Sequence, residues 1–384
     1  MISFAFTDEQ EEFRLTLARF AHEELARGYR ERASRTDFPW DVHRELGSMG
    51  VLGIGLPEQY GGTGVDDPVL LGLAAETLAY GDVNVASAPV QIGLVGSQLA
   101  LGSESVRQQY LAPLIKGECT VAIALTEPDS GSDAAALQTL AEPANGGWRL
   151  RGEKTAISWA MNAAAALVYA RAPGSSRSQG VSCFVVPLDA KGVSRAPILG
   201  MGCLPLGWGS LNFDDVFVSK DLLIGEEGSG FANVMHHFDF SRPALGLLCL
   251  GAAQASLDEA VRFANHREAF GQPIAKFQGV SFPLAEHATY IEAARWLCYR
   301  ALWLRATGQP HTDVASMSKW WPPVVAKDAI EAAMKIHGHL GYSAELPLQQ
   351  RLRDVMAYLI ADGTAEIQKR VIARELMLRV TKAS

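Results

Sequence analysis

Along this 384-residue chain the pattern of apolar and polar positions changes its period twice. Up to about residue 120 it is helical: Phe13, Leu17 and Phe20 share one face, behind a capping box formed by Thr7 and Gln10. VHRELGSMG predicts a second helix closed by a glycine, and LPEQYGGTG a loop from its proline and paired glycines. PVLLGLAAETLAY and APVQIGLVGSQLALG predict two more helices. Between about 121 and 232 the runs shorten. WRLRGEKTAIS, ALVYARA, GVSCFVVPL and GSLNFDDVFVS are β-branched or aromatic segments parted by Gly, Pro, Ser and Asp, which predicts an antiparallel β unit. From about 233 helical periodicity returns in ALGLLCLGAAQASLDEAVRFANHRE, SFPLAEHATYIEAARWLCYRALWLRATG and the stretch ending EIQKRVIARELMLRV, long enough for a four-helix bundle. The expected fold is an α+β multidomain chain: a helical domain at 1–120, a β domain at 121–232 and a helical bundle at 233–384. Pro322–Pro323 is unusual inside the third region, because the second proline disfavours helical backbone at the first.

Composition narrows the function classes. With 48% hydrophobic and 20% charged residues the chain has material for a large core, and its net charge is −8. An acidic chain without a basic run is a poor partner for nucleic acid. The N-terminal MISFAFTDEQEEFR has no basic start and apolar stretch, and the longest apolar runs fall short of the roughly 20 residues that span a bilayer. Five scattered cysteines with no CxxC pair fit reduced thiols. The expectation is a cytoplasmic protein with no membrane partner. His236–His237 and the pair His337 and His339 lack a third ligand at metal spacing, so no metal site is expected. Trp296, Tyr299 and Trp303 read as one packing face of a helix.

Four segments carry candidate chemistry. ALTEPDSGSD, from Ala124 to Asp133, is too rich in hydroxyls, acids and glycine for a core strand; it suits either a solvated loop or one lining a polar ligand. Ser158, in KTAIS, can place another hydroxyl on a neighbouring strand. In NHREAFGQPIAKFQ, Arg267 stands beside a glycine-bearing break, which suits either a pyrophosphate contact or a cation at a helix C-terminus. In ADGTAEIQKRVIARE, Asp362 precedes a glycine and a long helix, the ordinary place of an N-cap.

Taken together and in this order, ALTEPDSGSD, REAFGQPIAKFQ, ADGTAEIQKRVIARE and FDFSRPALGLLCLGAAQASLDEA resemble the acyl-CoA dehydrogenase family from end to end. The resemblance implies a homotetramer with FAD in each subunit, an acyl-CoA substrate and an electron-transferring flavoprotein as acceptor. It implies that Leu125, Thr126 and Ser158 meet the isoalloxazine ring, and that Ser132 sits where flavin and acyl-CoA meet. Arg267, Phe270 and Gln278 would reach the FAD of a neighbouring subunit, with Gly338 and Thr364 also near that cofactor. Asp239 and Arg242 would lie on the CoA side of the first C-terminal helix, and Gly363 would also contact substrate. The family's base removes an α-proton as hydride leaves the β-carbon. It is a glutamate at the position of Asp362 in most members, whereas the minority position holds Ser241 here, which cannot serve. Asp362 is therefore the candidate base.

This chain departs from the family in places. Aspartate reaches about 1.5 Å less far than glutamate. FDFSRP, LCYRALWLRATGQPHT, MSKWWPPVVA and ADGTAEI resemble cyclohexanecarboxyl-CoA dehydrogenases, which carry an aspartate base, and imply an alicyclic or α-branched acyl group. Ala156 stands where many relatives have a tryptophan, and Lys335 and His339 replace a glutamine and a glycine of the dinucleotide contact. Two rival readings remain: a flavin oxidase of the same fold acting on a non-thioester carbon acid, and a non-catalytic subunit of a hetero-oligomer.

Overall fold

The computed structural model describes residues 5–65 and 67–383. The capping box forms as the sequence predicts: the amide of Gln10 donates to Thr7 Oγ1 (3.2 Å) and that of Thr7 to Gln10 Oε1 (3.0 Å). It starts α1 (Asp8–Phe20), which passes through a wide turn at Ala21–Leu25 into α2 (Ala26–Ala33). Leu17, Phe20, Leu25 and Tyr29 line the buried side. Helix α3 (Trp40–Ser48) ends two residues before Gly50, whose left-handed φ of 75° turns the chain away. The apolar α4 (Pro68–Gly81) and α5 (Val83–Leu99) are joined at Asp82, whose carboxylate caps α5 through the amides of Asn84 and Val85 and pairs with Arg32 (2.8 Å).

His43 of α3 is buried, and its Nε2 has no hydrogen-bond partner among the described residues. Burial pushes its pKa down to about 4, against a bond to the backbone of Cys119. The unfolded chain takes up this proton near 6.5, so between 6.5 and 4 it binds more protons than the folded one. Stability is therefore fully present above pH 6.5 and falls as the pH drops toward 4, by about 3 kcal/mol from this residue. His43→Gln keeps a donor for Cys119 and is expected to flatten that part of the acid limb in thermal melts between pH 7.5 and 5. Equal acid slopes for both proteins would refute the assignment.

Strands β1 (Val121–Ala124), β2 (Leu140–Ala144), β3 (Gly147–Ile157), β4 (Ala165–Arg171), β5 (Val181–Pro187), β6 (Val193–Pro197), β7 (Gly209–Ser219) and β8 (Leu223–Ile224) form one sheet in the order β6-β7-β3-β2-β4-β5-β8, with β1 beside β4. The expected all-antiparallel unit is corrected here: β1 and β2 both run parallel to β4. The reason lies in β4, every residue of which is buried, as a continuous apolar strand covered on both faces must be. The long loop after β1 carries the chain across the sheet, so β1 pairs with β4 and not with its sequence neighbour.

The C-terminal region is built on α6 (Gly230–His266), followed by a small hairpin of β9 (Glu268–Ala269) and β10 (Gln272–Pro273). Helices α7 (Gln278–Ala306), α8 (Thr312–His337), α9 (Leu348–Tyr358) and α10 (Ala365–Ala383) complete it, with α6 packed on α4, α5, α7 and α8. By length and composition α6 is long and apolar enough to cross a membrane, yet 78% of its most apolar window is buried in this fold. Pro322 and Pro323 lie inside α8 without ending it. Pro322 has no N–H for the carbonyl of Ser318, and α6 comes close at that point: a Cβ on Gly246 would stand 2.3 Å from that carbonyl.

Candidate active site

Two walls hold some of the predicted residues, and a hairpin with its neighbours holds the rest. The first is the junction of the β1 loop with the end of β3. The amide of Thr155 donates to the carbonyl of Thr126 (2.9 Å), so Leu125–Thr126 and Lys154–Ser158 lie side by side. Behind them Lys154, fully buried, donates to the Leu125 carbonyl (3.1 Å) and to Glu127 Oε1 (2.7 Å). Glu127 also accepts from the amide (2.9 Å) and hydroxyl (2.6 Å) of Thr139. Burial brings the Lys154 ammonium down to about 8 against the pull of Glu127. Burial acts to raise the Glu127 carboxyl, but Lys154 and the Thr139 donors prevail and hold it below its usual value. This pair fixes the loop that opens ALTEPDSGSD.

In front of the pair the backbone turns sharply. Ala156 (φ 56°) and Trp159 (φ 67°) both take left-handed conformations, which leaves Ala156 exposed and Trp159 buried. The half-buried hydroxyls of Thr126 and Ser158 and the exposed one of Ser132 have no side-chain hydrogen bond among the described residues. They are donors and acceptors free for a ligand.

The second wall is the turn between α9 and α10. Helix α10 begins at Ala365, with Gly363 and Thr364 intervening, so Asp362 is not its N-cap. Asp362 instead has a left-handed φ of 54° and Gly363 one of 92°. A Cβ on Gly363 would stand 2.5 Å from Nε2 of Gln368. That amide, wholly buried, donates to the carbonyls of both Asp362 and Gly363 (3.2 Å each). Upstream, the buried ammonium of Lys319, from α8, donates to the carbonyl of Tyr358 (2.7 Å). Burial raises the pKa of Asp362, and the cations of Lys319 and Arg242 pull it back. Arg242 of α6 is 7% exposed; its Nη1 donates to Asp239 Oδ1 (2.5 Å), while its Nε is buried without a partner among the described residues. Asp239 is partly open and accepts from the Thr312 hydroxyl (2.8 Å). Ser241 is fully buried and bonds back to the carbonyl of Phe238 (3.3 Å), so it offers neither a base nor an open hydroxyl.

Comparison with known proteins decides what this arrangement belongs to. The N-terminal, middle and C-terminal domain profiles of acyl-CoA dehydrogenase match residues 7–118, 122–216 and 228–377. The chain belongs to the acyl-CoA dehydrogenase family. It is 35% identical over 379 residues to benzylmalonyl-CoA dehydrogenase of Aromatoleum aromaticum, covering 98% of this chain and 100% of that one. Butyryl-CoA dehydrogenase of Megasphaera elsdenii has a TM-score of 0.93 and 33% identity, over 98% of this chain and 100% of that one. The FAD complex of PigA superposes with a TM-score of 0.94 at 27% identity, over 98% of this chain and 100% of that one. This acyl-CoA dehydrogenase is thus an oxidoreductase acting on CH–CH groups, with FAD as its cofactor. The donor set fits: unpaired hydroxyls at Thr126 and Ser158 suit the polar edge of a flavin, and an exposed arginine suits a pyrophosphate.

That arginine, Arg267, opens the hairpin whose tip is Phe270, 95% exposed at φ 52° and touching Phe277 at 6.0 Å between ring centroids. Gln278 is exposed at the start of α7. Gly338 closes α8 at φ 61°, ψ −134°, a conformation open essentially to glycine. Among the described residues no hydrogen bond or ion pair links these four to either wall of the same chain. Lys335 pairs with Glu331 (2.6 Å) in the last turns of α8. Among the described residues no cluster of three metal-ligating side chains occurs. The aromatic face divides, with Trp296 and Tyr299 packed on Phe6 and Trp303 53% exposed.

Sequence reasoning missed Lys319, Gln368 and the Lys154–Glu127 pair. The signal for Lys319 was a single lysine in the apolar stretch around MSKWWPPVVA, where a surface charge is out of place. Glu127 lay inside the quoted loop, and its burial could not be read from a turn-like composition.

Proposed function

We propose that this enzyme dehydrogenates an α-branched or alicyclic acyl-CoA across its α and β carbons, with Asp362 as the base. The observation that carries this reading is the Asp362 carboxylate itself. It is held in a constrained turn, lacks a hydrogen bond of its own among the described residues, and is flanked by two buried cations. A carboxylate that stabilises nothing structural, with burial pressing its pKa toward a working range, suits proton abstraction. FAD supplies the hydride acceptor. The free hydroxyls of Thr126 and Ser158 would orient it, and Arg267, Phe270, Gln278, Gly338 and Thr364 would hold the cofactor, the first three from a neighbouring subunit. Ser132, Asp239, Arg242 and Gly363 would shape the acyl-CoA channel.

The branched substrate follows from reach. An aspartate delivers its carboxylate about 1.5 Å short of a glutamate, and errors on the order of 1 Å cost about 100-fold in rate. The α-carbon must therefore lie closer to the turn, as a bulky substituted acyl group seated deep in the channel allows. The relative named for benzylmalonyl-CoA, itself a branched acyl group, supports this reading. We place the enzyme in the cytoplasm as a homotetramer that passes electrons to an electron-transferring flavoprotein. Exposed Leu376, Met377, Leu378 and Val380 on α10 support burial against another subunit.

Anaerobic titration tests the reaction and the substrate together. Cyclohexanecarboxyl-CoA is expected to bleach the flavin band near 450 nm at lower concentration than straight-chain acyl-CoAs do. Bleaching by straight chains alone would remove the branched substrate, and no bleaching by any thioester would favour an oxidase acting on a different carbon acid.

A further inference from the structure

Lys319 is a charged side chain that the ordinary reading of the site does not use. It is 1% exposed, and its ammonium has one hydrogen bond, to the Tyr358 carbonyl at 2.7 Å, although it carries three donors. That carbonyl ends α9, and the chain then needs only four residues to reach Asp362. On the far side of the same turn Gln368 holds the carbonyls of Asp362 and Gly363. The turn is therefore clamped at both ends, by a cation from α8 and by a neutral amide from α10. Among the described residues no carboxylate lies within ion-pair distance of Lys319, whose ammonium bonds only the Tyr358 carbonyl. A buried ammonium left unpaired is costly, so a nearby negative charge is expected to compensate it.

We propose that Lys319 is the positioning residue of the base, its ammonium both bracing the turn that carries Asp362 and compensating the charge of that carboxylate. This inference rests on the reading of Asp362 as the base. The groups whose charge acts on Asp362 are Lys319 from α8 and Arg242 from α6, the latter with its partner Asp239; the Tyr358 phenol of α9 feels the carboxylate in turn, and α10 contributes the uncharged Gln368. Arg242 already shares its charge with Asp239. Among the described residues Lys319 has no such partner, so its charge acts on Asp362 with less competition.

The test uses the flavin-loaded enzyme and the pH profile of kcat/KM for the thioester it oxidises best. Lys319→Gln keeps a donor for the Tyr358 carbonyl but removes the charge, whereas Gln368→Ala keeps the charge and removes the other clamp. Lys319→Gln is expected to move the acid limb upward by about one pH unit or more, as loss of a neighbouring cation should. Gln368→Ala is expected to lower kcat with the limb unmoved, and Lys319→Arg to restore the limb. An unmoved limb in Lys319→Gln would overturn the charge role, provided Asp362→Asn has lost flavin reduction. If Asp362→Asn still reduces flavin normally, the base reading itself has failed and the proposal falls with it. Should the neutral variants lose flavin, a melting-temperature cycle decides. Lys319→Met should then be less harmful in an Asp362→Asn background, and equal damage in both backgrounds would overturn the pairing.

Discussion

Asp362→Asn is expected to leave the protein folded and yellow while slowing flavin reduction by acyl-CoA by about 100- to 10,000-fold, the usual contribution of a positioned general base. Asparagine is the right replacement for a backbone reason. Asp362 sits at φ 54°, a region that asparagine and aspartate visit more readily than other residues with a Cβ. Asp362→Ala should lose the same chemistry but add strain in the turn. Asp362→Glu is the more informative partner: it restores the family's longer arm at the cost of that strain. If the α-carbon lies close to the turn, the extra methylene should lower the rate with cyclohexanecarboxyl-CoA and favour straight chains. Stopped-flow reduction at 450 nm measures all three variants. Retention of the native rate constant by Asp362→Asn would dismiss Asp362 as the base while leaving the flavin wall as described.

How legible all this was in the sequence depends on the length scale of each signal. The capping box of α1 was plain because local chemistry fixes that end, and the long helices α6, α7 and α10 because their periodicity extends over many turns; α8 was interrupted in sequence by Pro322–Pro323. Strands β3, β4, β5 and β7 were equally plain as β-branched runs. Strands β1 and β8 have four and two residues, too short to carry a period. Strand β2 contains Pro143, which argues against a strand in the interior of a sheet. The proline is accommodated because β2 meets β4 only at Leu140, so the far end of β2 has a neighbour on one side alone. The parallel pairing was hidden for a different reason. Register and direction are set by how a loop crosses the sheet, and a loop's route has no periodicity. Thr126, Ser158 and Asp362 were singled out through motif resemblance. Lys154 and Lys319 were not: Lys154, buried by distant elements, looks in sequence like any surface lysine, and only the apolar stretch around Lys319 marked it as out of place.

The largest effect on stability is expected at a residue that touches no ligand. Asp354 of α9 is fully buried, and its carboxylate accepts from donors in all three regions of the chain. Its Oδ2 takes Tyr29 Oη (2.6 Å) and Asn84 Nδ2 (3.1 Å) from the N-terminal helices. Its Oδ1 takes the amide of Cys203 (2.6 Å) from the β region and Gln350 Nε2 (3.0 Å) from its own helix. Burial raises its pKa, and these donors act to lower it. Removing the carboxylate strands several buried donors at once, and each unsatisfied one costs about 1–3 kcal/mol. Asp354→Ala is therefore expected to destabilise the protein by about 3–5 kcal/mol, as loss of one side of a buried charged network does. Asp354→Asn keeps one acceptor oxygen, and the Tyr29 hydroxyl can turn to accept from the new amide, so Asn84 is the main group left facing a donor. A smaller cost, about 1–3 kcal/mol, should result. The damage should also have a location. Cys203 is held at φ 54° by its bond to Asp354, and Met201 gives its carbonyl to Arg353 of the same helix (2.8 Å). Limited proteolysis of Asp354→Ala should therefore open the segment around Leu199–Gly207 before the rest of the chain, and flavin should be lost in step with that cleavage. Uniform proteolysis with an unchanged melting temperature would mean that the three regions are joined elsewhere, through the packing of α6 on α4, α5 and β5.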